Sequence, residues 1–165
     1  MSQSKTSKSK SFDLQFRAIT DADLSFLETL YSTTRAAELS QVPWTQEQKD
    51  EFIAMQFNAQ HTFYQEHFTK ATYEIVSKDG FDIGRLYVDE RDDETRIIDI
   101  ALMPNYQKMG IGRYLLEQEM DKAKERGVPV TIHVEKNNPA MSLYKRLGFE
   151  LVEDQGVYDL MKWAA

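Results

Sequence analysis

Two glycines one residue apart stand in the segment NYQKMGIGRYLL, residues 105–116, just ahead of an apolar pattern of helical period. Gly110 and Gly112 lack a Cβ atom, so the backbone there can bend tightly or let another group approach closely. A helix N-terminus also presents backbone N–H groups without intrahelical partners, and such groups bind anions. The segment therefore indicates either an ordinary strand-to-helix turn or a phosphate site built from the amides of residues 108–113.

Two nucleotide-binding motifs are excluded by the residues that follow the turn. A dinucleotide fingerprint needs a third glycine where this chain has Leu115, and a P-loop needs Gly-Lys-Ser/Thr where Gly112 is followed by Arg113 and Tyr114. The side chains of Lys108 and Arg113 could add charge-assisted contacts to a phosphate group, or they could be plain solvated charges.

A second block, VEKNNPAMSLYKRLGF, occupies residues 134–149. Asn138 followed by proline is typical of a helix start, so Asn138 is explained as an N-cap without any further role. Tyr144 is either a core aromatic or a phenol that donates a proton.

Together the two blocks resemble the GNAT superfamily of N-acetyltransferases, over residues 13–163 with a specific core at 97–149. The resemblance implies an acetyl-CoA cosubstrate and a direct attack of an amine on the thioester. Binding of the pyrophosphate and the pantetheine arm is implied for Leu102, Met103, Gln107, Lys108, Met109, Gly110, Ile111, Gly112, Arg113, Asn138 and Tyr144.

The same resemblance implies two catalytic groups. The backbone N–H of Leu102 would stabilise the oxyanion, and the Tyr144 hydroxyl would protonate the departing CoA thiolate. Backbone groups of Leu102 and Met103 would pair with pantetheine. The general base stays open between Asp99, Glu135, His133 and water.

Acceptor specificity is expected from the first two helices and the last hairpin. Gln56, Gln60 and Tyr64 share one helical face at i, i+4 and i+8. They are either polar surface of an amphipathic helix or one wall of a pocket, whose predicted members are Arg35, Trp44, Gln56, Gln60, Tyr64 and Tyr158.

These residues need a scaffold, and the hydrophobic pattern supplies one. It predicts strands at 13–19, 72–77, 82–89, 95–102 and 128–135, and a final hairpin around Gly156. The first predicted helix is capped by Asp21 and runs to about residue 31, and the second runs from a Thr45–Gln48 capping box to about residue 67. Two further helices are predicted over 110–126 and from Asn138 to Gly148. The fold class is therefore α/β, a mixed and mostly antiparallel seven-stranded sheet split near strands four and five, with helices on both faces.

Composition bounds the remaining functions. The chain has 165 residues, no cysteine, three histidines without metal-ligand spacing, and a net charge of −7. We expect a disordered Ser/Lys-rich tail at 1–11, one N-acetyltransferase domain at 12–165, no metal, no nucleic acid, no membrane span and a cytoplasmic location. A homodimer is compatible with the sequence.

Three function classes remain in contention. An N-acetyltransferase that modifies a small amine or an amino terminus explains both blocks. A non-catalytic acyl-CoA sensor would leave the Tyr144 acid unused, and an interaction protein would leave both blocks without a role.

Overall fold

The computed structural model describes residues 10–165. The first nine residues, which make up most of the predicted tail, lie outside the described residues. In chain order the elements are β1 (Gln15–Ala18), α1 (Leu24–Leu39), α2 (Gln46–His67), β2 (Thr72–Lys78), β3 (Phe81–Glu90), β4 (Thr95–Leu102), α3 (Ile111–Arg126), β5 (Val130–Glu135), α4 (Met141–Arg146), β6 (Glu150–Gln155) and β7 (Tyr158–Trp163).

The seven strands form one sheet in the order β1-β2-β3-β4-β5-β7-β6. Every neighbouring pair is antiparallel except β4 and β5, which are parallel. This arrangement confirms the predicted fold class of a mixed, mostly antiparallel sheet.

Helices cover both faces of the sheet, and β2 shows how. Successive residues of a strand point to opposite faces. Ile75 packs in a buried cluster with residues of α1 and α2, whereas the adjacent Val76 packs with Ile111 and Leu115 of α3. A third cluster joins α3 and α4 to β4, β5 and β7.

The sheet opens between β4 and β5. Their pairing runs only from Thr95–Val130 to Ile97–Ile132, although β4 continues to Leu102 and β5 to Glu135. The register between β3 and β4 also shifts at this point, because Tyr87 pairs with Asp99 and Val88 with Ile97, leaving Ile98 as an extra residue. The predicted split of the sheet is therefore present.

Some element boundaries differ from the predictions. β1 begins at Gln15 and not at residue 13, because Phe12 and Leu14 pack against the α3 cluster. The predicted capping box is formed: Thr45 Oγ1 accepts from the Gln48 N–H at 3.1 Å, and Gln48 Oε1 accepts from the Thr45 N–H at 3.0 Å.

Candidate functional site

The turn ahead of α3 has the backbone of an anion site. Lys108 and Gly110 both lie in the left-handed region, with φ of 62° and 94°, and the first bond into the helix runs from the Tyr114 N–H to the Gly110 carbonyl at 3.0 Å. Within the described part of the chain, the backbone N–H groups of residues 108–112 have no hydrogen-bond acceptor. Left-handed residues among free amides form a concave group of donors.

The side chains of this turn differ in what they offer. Met109 is 42% exposed, whereas Ile111 is fully buried, so Ile111 can contribute only its amide. Arg113 is paired with Glu117 at 3.2 Å. Among the candidate residues of the turn, Lys108 carries an exposed cationic side chain.

At the end of β4, the backbone N–H and C=O of Leu102 point into the opening between β4 and β5. The Met103 N–H donates to the Ile83 carbonyl of β3 at 2.7 Å. Because antiparallel ladders alternate, the N–H and C=O of the preceding Leu102 point away from β3, toward the side on which β5 has diverged. Leu102 therefore keeps the orientation that sequence analysis expects of an oxyanion donor.

Both backbone groups of Met103 have partners within the chain. Its N–H is bound to Ile83, and its carbonyl accepts from the Tyr106 N–H at 2.9 Å. The predicted pairing of Met103 with pantetheine would have to replace these bonds. Gln107 is exposed, and its Nε2 donates to the Leu102 carbonyl oxygen at 2.9 Å.

Tyr144 lies beneath the opening. It is 3% exposed and packs with Ile97, Ile132 and Val134, where β4 and β5 separate. Burial, with a smaller contribution from Asp99, raises its pKa above the ordinary value, so the phenol stays protonated at neutral pH. Its hydroxyl makes no hydrogen bond to any residue that the structure describes.

Asn138 acts at the start of α4, but not as predicted. Its Oδ1 accepts from the Ala140 N–H at 2.8 Å, forming a turn, and the helix begins only at Met141. The helix start at Asn138 is therefore wrong by a few residues. The Nδ2 group stays available as a donor.

A cleft of about 470 Å³ opens over β4, β5 and β7 on the side of α1 and α2. It brings together five of the six predicted acceptor residues: Arg35, Gln56, Gln60, Tyr64 and Tyr158. Trp44 does not join them, because its ring packs on Phe52 at 5.4 Å in a separate shallow depression. Sequence analysis missed Tyr31, Phe63, Arg96 and Gln155 in the lining.

The three candidate bases all have partners. Asp99 is paired with Arg85 at 2.6 Å, and Glu135 with Arg35 at 3.1 Å. His133 Nδ1 lies 3.2 Å from Arg96 Nη1; since a guanidinium only donates, Nδ1 accepts and a neutral ring carries its proton on Nε2. Burial and Arg96 lower the pKa of His133. The ring is neutral, but its acceptor nitrogen is occupied.

Comparison with known proteins places this geometry in a family. The model of the acetyltransferase (GNAT) family matches residues 27–149, from α1 to the end of the second block. The chain belongs to this GNAT family. The match includes the α3 turn, the end of β4 and Tyr144.

Sequence relatives of this GNAT chain match over its core. The mycothiol acetyltransferase of Thermobifida fusca is 35% identical over 82 residues, which cover 48% of this chain and 22% of that protein. The [ribosomal protein bS18]-alanine N-acetyltransferase of Escherichia coli K12 is 43% identical over 60 residues, covering 34% of this chain and 40% of the relative. The matched segments thus span less than half of these relatives.

Solved structures share the whole fold at low identity. The PaiA N-acetyltransferase of Thermoplasma acidophilum in complex with coenzyme A has a TM-score of 0.67 at 18% identity, covering 93% of this chain and all of that one (100%). A GNAT acetyltransferase from Elizabethkingia anophelis with acetyl-CoA bound has a TM-score of 0.60 at 15% identity, covering 92% and 98%. These likenesses support the fold.

Among residues 10–165, each helix is too short or too polar to span a bilayer. Within the same residues, no group of three or more His, Asp or Glu side chains is arranged to hold a metal ion.

Proposed function

We propose that this chain transfers an acetyl group from acetyl-CoA to a primary amine of a small molecule or of a peptide or protein N-terminus. The observation that carries the proposal is the opening beyond the Ile97–Ile132 pair, into which the Leu102 N–H points. One end of β4 thus offers a backbone donor, and the turn that follows offers a group of free amides.

The residues present fit acetyl-CoA. The amides of residues 108–112 suit its phosphates, because a helix N-terminus favours negative charge and no protein acceptor in the described chain competes for them. The Leu102 carbonyl accepts from Gln107 Nε2, so the N–H is the backbone group that Leu102 offers to the cosubstrate, and Asn138 Nδ2 in the turn before α4 is a further donor for the pantetheine arm. The backbone groups of Met103 already have partners within the chain.

Each catalytic group then has a stated task. Acetyl-CoA supplies a thioester whose acetyl carbon forms a C–N bond with the amine while the C–S bond breaks. The Leu102 N–H donates to the thioester oxygen as negative charge develops on it. The Tyr144 hydroxyl, held protonated by burial, gives its proton to the departing sulfur. Asp99 and Glu135 each bind an arginine and His133 Nδ1 faces Arg96, so we assign the removal of the amine proton to water.

The cleft over β4 and β7 is the site for the acceptor. Its lining includes aromatic rings and glutamine amides, among them Tyr64 of α2 and Tyr158 of β7, beside the basic side chains of Arg35, Arg96 and His133. This lining suits an amine attached to a peptide-like or other polar body.

The proposal is tested by following thiol release from acetyl-CoA over a panel of amines that includes small primary amines and peptides with free N-termini. We expect turnover of at least one amine, with the acetylated product seen by mass spectrometry. Calorimetric titration with acetyl-CoA and CoA runs in parallel. Tight binding without turnover of any amine would contradict the enzyme and favour the acyl-CoA sensor, and absence of binding would contradict both.

A further inference from the structure

A buried cation lies beneath the acceptor cleft. Arg85 of β3 is 3% exposed, and its Nη2 donates to Asp99 Oδ2 at 2.6 Å and to Gln60 Oε1 at 2.9 Å. Its guanidinium also lies 5.0 Å from the centre of the Tyr87 ring. Burial lowers the pKa of Arg85, but Asp99 together with Tyr87 and Tyr64 more than offsets that effect, so the pKa is raised. The guanidinium is therefore fully charged.

Stability alone gives a weak reason for this pair. Removing two charges from water costs free energy that their attraction repays only when the geometry is good, and apolar residues of the same volume often serve as well. A buried ion pair does fix the position of a carboxylate, because the guanidinium is planar and its stem is held in the strand. The pair is better explained by what it does to Asp99.

Among the described residues, one carboxylate oxygen of Asp99 accepts hydrogen bonds and the other accepts none. Oδ2 accepts from Arg85 and from the Tyr64 hydroxyl at 3.2 Å, whereas Oδ1 has no hydrogen bond to any described residue. The side chain keeps 16% exposure. Its negative charge contributes to the raised pKa of Tyr64, of Tyr158 and of Tyr144. Asp99 thus contacts α2 directly, through Tyr64, which also lines the cleft.

We propose that Arg85 is a positioning residue that holds Asp99 as the carboxylate on which the acceptor ammonium binds, through Oδ1, at the inner end of the cleft. This inference rests on the proposed function. The cleft lining contains Arg35, Arg96 and His133 but no carboxylate, and Glu135 is already paired with Arg35. Asp99 adjoins the cleft, because it follows the lining residue Ile98 and accepts from the lining residue Tyr64, so an ammonium group at the inner end would meet its counter-charge there.

Arg85 also fixes the orientation of that carboxylate. Because Oδ2 accepts from Arg85 and from Tyr64, Oδ1 is the oxygen left to accept from the incoming amine. The ammonium is thereby oriented before its proton passes to water.

The test uses the amine that the wild type acetylates fastest in the panel, and four variants: Asp99→Asn, Arg85→Met, Arg85→Lys and the double variant Arg85→Met/Asp99→Asn. A charge-assisted hydrogen bond lost at Asp99 should raise the amine KM about 10- to 100-fold, with the dissociation constant of acetyl-CoA unchanged. Arg85→Met should raise the amine KM to a similar extent, and Arg85→Lys should restore most of it.

The double variant separates positioning from structure. If Arg85 acts through Asp99, its loss adds nothing to Asp99→Asn, and the buried pair is then replaced by two neutral groups that fold even if Arg85→Met alone does not. The exposed Asp93→Asn serves as the control. An unchanged amine KM in Asp99→Asn, or fully additive losses in the double variant, would overturn the inference while wild-type turnover keeps the proposed function. No wild-type turnover of any amine would overturn both.

Discussion

The side-chain amide of Gln107 donates a hydrogen bond to the backbone carbonyl oxygen of Leu102 at 2.9 Å. This bond joins the turn that precedes α3 to the end of β4. The free amides of residues 108–112 and the Leu102 N–H are thereby held at a fixed separation. The two groups assigned to opposite ends of acetyl-CoA are thus mechanically linked by one glutamine.

Removing that link should weaken cosubstrate binding. In Gln107→Leu the donor is lost while the volume is nearly kept, so we expect the acetyl-CoA KM to rise about 3- to 10-fold, with kcat little changed, as for one neutral hydrogen bond. Steady-state kinetics measures this, with the exposed Gln118→Leu of α3 as the control. Equal KM values in the two variants would mean that Gln107 does not position the site.

The two glycines of the turn should respond differently to alanine. A Cβ at Gly112 would meet only Leu102 Cδ1, at an ordinary 3.9 Å, so Gly112→Ala should change the free energy of unfolding by less than about 0.5 kcal/mol. Gly110 has φ of 94°, and an L-residue there costs about 1–2 kcal/mol. Urea unfolding compares the two variants.

The affinity of the Gly112→Ala protein for acetyl-CoA tests whether this glycine matters for binding. If the backbone at Gly112 must approach the phosphates, Gly112→Ala should bind acetyl-CoA at least about tenfold more weakly by calorimetry although its fold is intact. Wild-type affinity in the folded Gly112→Ala protein would exclude close approach at this glycine.

The burial of Glu119 in α3 should make the stability of the protein depend on pH. Burial raises its pKa above the ordinary 4.5, and Lys122 offsets this only in part. The folded protein therefore binds the Glu119 proton more tightly than the unfolded chain does. The stability that this provides is fully present below the unfolded-state pKa and is lost as pH rises through the folded-state pKa. Glu119→Gln should therefore stabilise the protein at about pH 7 and have little effect near pH 4.

Thermal unfolding at the two pH values checks this, with the exposed Glu125→Gln on the same helix as the matched control. Destabilisation by Glu119→Gln at neutral pH would show that the Lys122 ion pair outweighs the burial of the carboxylate.

Sequence alone reached the fold class, the turn and the cleft wall because each depends on local patterns. Gln56, Gln60 and Tyr64 fall on one face of a helix whose capping box is visible in the sequence. The Arg85–Asp99 pair depended on strand register, and the extra residue Ile98 shifts that register by one, which reverses the faces predicted by simple alternation. The available signal was Arg85 beside apolar Leu86 in β3 and Asp99 between Ile98 and Ile100 in β4.

The orientations of Met103 and Trp44 could not be predicted from the sequence. Whether Met103 faces β3 or the opening is set by the alternation of the ladder, which the sequence does not specify. Trp44 precedes α2, but its contact with Phe52 keeps it at the start of that helix, away from the cleft. Both cases concern the orientation of a residue that lies beside a correctly predicted element.

The pH dependence of the reaction should follow the acceptor. With water as the acceptor of the amine proton, log kcat/KM should rise with a slope of one up to the pKa of each amine used. Two acceptors whose amine pKa values differ by about two units should give profiles displaced by the same amount. A common inflection below the ordinary histidine pKa, lost in His133→Gln, would instead identify His133 as the base, because burial and Arg96 lower the pKa of that ring.

The most direct test of acetyl transfer at this opening is the single-turnover rate of Tyr144→Phe, measured with saturating acetyl-CoA and the best amine of the panel. The substitution keeps the ring that packs on Phe149 at 5.8 Å and removes only the hydroxyl. We expect the rate to fall about 10²–10⁴-fold with acetyl-CoA affinity unchanged, because the proton is needed mainly in the transition state. A fall of less than about threefold, with chemistry rate-limiting, would remove Tyr144 from the mechanism and contradict the account.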